Sequence, residues 1–256
     1  MGDPLESGML AAGGCATGFL WSVVAGDAKL STGKGWGRAL MGCAGSALNA
    51  YTIYSLTDHF SNDRDLARNL TLGWFGAQSG AGLTNWLGRR YHWEEKGTFN
   101  AVAFPLNFAA SPVISTGGLL WAGIGEAATG FKGEVNFYGG MLVFNHKLCV
   151  FNAANTGAIG HCFTPSSVGD TPQHEKAHEV QVSIMGDAGT LGLISVDFLA
   201  RVFSFQWKNL GQSPGYLTLE PWADDYAKDA LPKKPSPAFT VPPKPQSKKS
   251  PSPTPP

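Results

Sequence analysis

His174-Glu175-Lys176-Ala177-His178 places two imidazoles four residues apart with a carboxylate beside the first. Asp170 or Thr171 can cap a helix whose first turn holds Pro172, and such a helix sets His174 and His178 on one face, where they can share one divalent cation. Glu175 then flanks the ion without ligating it. The chemistry of that set is hydrolysis: Zn²⁺ lowers the pKa of a coordinated water towards about 7, and a neighbouring carboxylate takes the proton and returns it to the leaving amine. Gln181 falls three residues beyond His178, where its amide can orient a ligand from behind. A catalytic zinc needs a third protein ligand, and Glu220 is the candidate. A helix starting near Thr218 tolerates Pro221 in its first turn and puts Glu220 and Asp224 on one face. Asp224 would then steady one histidine through its free ring nitrogen, and small Ala223 would allow close packing.

The elements that must carry these residues change character along the chain. Residues 8–26, 37–56 and 70–88 are Gly- and Ala-rich apolar stretches close to the length that crosses a bilayer, and 101–130 is a fourth, interrupted by Pro105, Pro112 and Glu126. A mean hydropathy of −0.07 and the internal Asn, Gln, Ser and Thr leave two readings open, membrane contact through residues 8–88 or tightly packed soluble helices. The charged runs 58–65 and 89–96 read as solvated connections, with His59 and His92 as surface or capping residues. From Glu134 onward, short runs at Val135 and Phe137, 141–144, 148–151 and 158–163 alternate with Gly139-Gly140 and Asn145-His146-Lys147. That pattern predicts an antiparallel β-meander. Residues 191–203 read as an apolar helix that is buried behind the motif helix or lies against a membrane, with Asp197 and Arg201 as an i,i+4 pair.

The expected organisation is therefore α+β. A Gly- and Ala-rich helical region spans 1–130, a zincin-like domain built of the meander and its following helices spans 134–230, and a disordered Pro-rich tail spans 231–256. From Pro232 onward the tail holds five Lys, ten Pro and no acid, leaving the body 14 basic and 19 acidic side chains and a net charge of −5. A mildly acidic body without clustered cations excludes nucleic acid as the main partner. The tail suits a polyproline-II extension, with VPPKP as a segment for a Pro-recognising domain. Cys15, Cys43, Cys149 and Cys162 form no CxxC pair and read as free buried thiols. Met1 to Glu6 lack the basic start of a cleaved leader, so export would take a leaderless route, or the chain is membrane-associated.

HEKAH followed by Glu220-Pro221-Trp222-Ala223-Asp224 resembles the gluzincin pattern, HExxH then ExxAD, of integral-membrane and soluble zinc metallopeptidases. HExxHxxQ, completed by Gln181, resembles metallopeptidase-like domains of bacteria, including those of Rhs-type polymorphic toxins. The resemblance covers about 134–230 and implies zinc held by His174, His178 and Glu220, Glu175 as base, and a peptide or protein substrate, in an effector or toxin setting. Pro221 departs from the usual residue of ExxAD. Two other readings stand beside it: a membrane-inserting protein whose apolar first half is the functional part, and an inactive metal-binding module.

Overall fold

The computed structural model describes residues 3–128, 130, 134–145, 159–162, 172–206 and 218–228. Helix α1 (Pro4–Val24) starts at Asp3, whose side chain accepts from the Leu5 N–H, with Pro4 in its first turn. Helix α2 (Gly33–Ser61) is capped by Thr32 and ends at Asn62 in the left-handed region; α3 (Arg64–Tyr91) is capped by Asp63 and ends the same way at His92. These Thr and Asp caps and left-handed stops account for the tight turns between long helices.

The three helices pack closely because small residues line their contacts. A Cβ at Gly18 or Gly42 would run into the facing helix, so only glycine permits this approach of α1 to α2. Contacts of Gly14 with Ala50 and of Gly42 with Ser22 make the pair antiparallel, and Trp21 against Gly82 sets α3 parallel to α1. Cys15 and Cys43 are joined by a disulfide across the α1–α2 seam, which corrects the expectation of free thiols at these two positions. Cys149 lies outside the described residues.

Helices α4 (Gly97–Ala110) and α5 (Pro112–Ala128) meet at a bend of 110° at Ser111. Pro112 has no N–H to continue α4, and the first N–H groups of α5, on Val113 and Ile114, are taken by the Asp187 carboxylate at 3.0 and 2.8 Å.

Strands β1 (Glu134–Tyr138) and β2 (Met141–Asn145) pair antiparallel across Gly139-Gly140, both at positive φ. Strand β3 (Ile159–Cys162) pairs with β2 in parallel. The fold is thus mostly α, with a small sheet, and the α+β architecture with an antiparallel meander is overturned. Short apolar runs do not distinguish partners or direction, and β2 finds a parallel neighbour from a distant segment. The run 148–151 and the tail lie outside the described residues.

Helix α6 (Pro172–Phe203) unites the motif helix and the apolar helix expected separately at 191–203. The union is broken at Gly186, φ 70° and ψ −177°, a conformation for which glycine has no steric penalty. Polar side chains repair the break. Ser46 donates to the Ile184 carbonyl at 2.6 Å, Gln78 donates to the same oxygen, and the Ala188 N–H donates to Asn49 at 2.8 Å. Helix α7 (Leu219–Lys228) closes the motif end. Its buried Leu219, Ala223 and Tyr226 join Ala177, Val180, Ile184 and Met185 in one core cluster. By length and composition, α1 and α6 are each apolar enough to cross a membrane, and α4 with α5 would qualify as one broken span.

Candidate metal centre

The first half of α6 projects the motif residues from a buried rod. Glu175, Lys176, His178, Glu179 and Gln181 are all at most 3% exposed, while His174 is half-buried at the mouth. The motif half of α6 is thus no solvated surface helix, and Glu175 and Glu179 are both withdrawn from water.

Helix α7 aims Glu220 because it is gripped from four sides. Trp222 Nε1 donates to the Gly26 carbonyl at the end of α1 at 2.7 Å, and Arg38 at the start of α2 donates to the Pro221 carbonyl at 3.1 Å and to Asp225 at 2.5 Å. The Arg89 guanidinium stacks 4.0 Å over the Tyr226 ring, and Gln181 Nε2 donates to the Leu219 carbonyl at 3.0 Å. Pro221 sits in the first turn of α7, where its missing N–H costs nothing.

These grips bring His174, His178 and Glu220 together. The two Nε2 atoms are 3.2 Å apart; Glu220 Oε2 lies 3.2 Å from His174 Nε2 and 3.6 Å from His178 Nε2. A tetrahedral ion with bonds of about 2.0–2.1 Å separates its ligands by about 3.3–3.4 Å, so all three edges suit one small cation. The opposite ring nitrogens are held as well. His178 Nδ1 contacts Gln181 Oε1 at 3.0 Å, and His174 Nδ1 lies 3.2 Å from Asp224 Oδ1. With those acceptors each Nδ1 carries the proton and each Nε2 offers its lone pair to the same point. Burial alone would raise the Glu220 carboxyl, but while no cation is bound the hydrogen bonds and charges of the protonated His174 and His178 rings outweigh it and hold it at about 2; a cation would take the place of the protons on Nε2. Glu220 is therefore an anion ready to ligate, and the donor set of two imidazoles and one carboxylate fits zinc.

Two neighbours escaped the sequence reading. Lys176, between the histidines, is fully buried; Nζ donates to Asn85 Oδ1 at 2.6 Å, to the Gly139 carbonyl and to Glu179. The signal was the i,i+3 pair Lys176–Glu179 on a helix with little exposed surface. Glu94, read as part of a solvated connection, is drawn inward, and burial raises its carboxyl above the usual range despite nearby Lys176 and Arg89. Its carbonyl accepts from the Gly139 N–H at 2.8 Å, so Glu94 and Lys176 together pin the β1–β2 turn against the motif helix. His59 is exposed in the last turn of α2 and His92 is the exposed C-cap of α3, in line with their reading as surface or capping residues. The side chains of His146 and His161 fall outside the described structure, as does Tyr216. Tyr226 is buried in the core under Arg89.

In comparisons with protein families, with curated proteins and with solved structures, nothing matches this chain.

Proposed function

We propose that this protein is a zinc-dependent peptidase whose metal is held by His174, His178 and Glu220. The observation that carries the reading is the trio of ligand atoms at tetrahedral spacing, with both rings fixed from behind by Gln181 and Asp224. A zinc ion bound there would supply Lewis acidity, polarising a carbonyl and making a coordinated water acidic near neutral pH. The remaining chemistry belongs to side chains. Glu175, adjacent to His174 and buried, takes the proton of the attacking water on its carboxylate and passes it to the departing amine nitrogen. Half-buried His174 and Glu220 form the open side from which a peptide carbonyl approaches.

The test is zinc content and hydrolysis of a mixed peptide pool by the purified chain, by Glu175→Gln, and by the double variant His174→Ala, His178→Ala. The expected pattern is zinc in the first two only and cleavage in the first only. Equal metal in all three chains removes the site. Zinc without cleavage in the unmodified chain leaves a metal-binding module with no peptidase.

A further inference from the structure

The surface of α1, α2 and α3 is inverted relative to a helix that faces water. Residues 7–26, 39–57 and 70–88 hold no Asp, Glu, Lys or Arg. Every exposed residue in those runs is Gly, Ala, Leu, Met, Val, Tyr or Trp, among them Leu20, Leu48, Tyr51, Leu83 and Trp86. No Ser, Thr, Asn or Gln of the same runs is exposed, and Ser22, Ser46, Asn49, Thr71, Gln78 and Asn85 are buried. A helix on a water-facing bundle shows the opposite arrangement, with charged and polar residues outward. Runs of about 20 residues rise about 30 Å, the thickness of a hydrocarbon core.

Charge returns at both ends of these runs. At one end Glu6, Tyr54 and Arg68 are bonded together and Arg64 lies 3.9 Å from Asp58. At the other, Arg89 pairs with Asp27 and Arg38 with Asp225, level with the metal cluster. Between them the helices are joined by small residues and interhelical hydrogen bonds such as Asn85 to Ser183, the means by which helices associate where burying apolar surface yields nothing.

We propose that α1–α3 and α6 span a lipid bilayer, with the metal centre at one membrane surface. The end that carries the centre holds Lys29, Lys34, Arg38, Arg89, Arg90, Lys96 and Lys228, against Arg64, Arg68 and Arg201, the last paired with Asp197, at the far end. That excess places the centre on the cytoplasmic side. The substrate class follows, resting on the peptidase reading above: chain segments tethered within a few residues of the bilayer, presented at the depth of His174.

The test expresses the full chain in cells and extracts the membranes. Retention through alkaline carbonate and release by mild detergent are expected for the unmodified chain and for His174→Ala; release by carbonate overturns the bilayer placement. On a Cys149→Ser, Cys162→Ser background, Phe60→Cys and Trp93→Cys should label with an impermeant maleimide from opposite sides. Labelling of both from one side also overturns the placement. Finally, one peptide, lipid-anchored on phosphatidylcholine vesicles or free, is offered to the chain in the same vesicles. The anchored form should be cleaved at least about tenfold faster, and equal rates overturn the substrate class while leaving the placement intact. Failure to cleave either form, with membrane retention unchanged, defeats the peptidase reading instead.

Discussion

Each group around the candidate centre has a separable task. Glu175→Gln keeps the shape of the side chain and loses the base, so zinc content should persist while turnover falls by about 10²–10⁴-fold, measured on the same preparation. Gln181→Ala and Asp224→Ala remove the acceptors behind the two rings. Each should weaken zinc binding by about 10–100-fold in a competition titration with a chromophoric chelator. Loss of all zinc in both would instead mark them as structural supports. Zinc must displace protons from the imidazoles, so its apparent affinity should fall as pH drops from about 7 to 5, and a flat profile would remove the histidines from the ligand set. Lys176 has the opposite character: Lys176→Met strands Glu179 in the interior, whose second oxygen has no hydrogen-bond partner among the described residues. A loss of about 3–5 kcal/mol in stability is expected, and Lys176→Met with Glu179→Leu should recover much of it.

At the level of elements, the sequence was informative where local rules suffice. The HEKAH spacing needs only one helix to set its geometry, and the ends of α1–α3 are written in Asp3, Thr32 and Asp63. The sheet was not legible in the same way. Strands 134–138 and 141–145 follow from their hairpin glycines, but the parallel partner at 159–162 is a choice made by tertiary contacts. The break in α6 was also hidden. Gly186 is one glycine among 33, and what fixes its unusual backbone is Asn49, Ser46 and Gln78, more than a hundred residues upstream. Gly186→Ala combines an unfavourable positive φ with a Cβ inside van der Waals distance of Asn49. It should cost about 2 kcal/mol or more, read from denaturation in detergent micelles, while Gly8→Ala, a helical position with open space around it, should stabilise by up to about 1 kcal/mol.

For the molecule as a whole, the composition conceals an arrangement that the packing reveals. A mean hydropathy near zero comes from averaging an apolar exterior with a polar seam and a charged rim, so the total cannot reveal which residues face out. The three uncharged stretches were visible from the start; that their Asn, Gln and Ser turn inward required the packing. The Cys15–Cys43 link ties α1 to α2 within this seam, and non-reducing electrophoresis of the intact chain against Cys15→Ser should show a faster band only for the former.

The Ile184 carbonyl, released from helical bonding by the break two residues later, is claimed at once by Ser46 on α2 and Gln78 on α3. Six positions upstream on the same helix stands His178, so one element carries both the oxygen that clasps α2 to α3 and a candidate ligand. Replacing Gln78 with leucine would remove one of those two clasps without touching His174, His178 or Glu220.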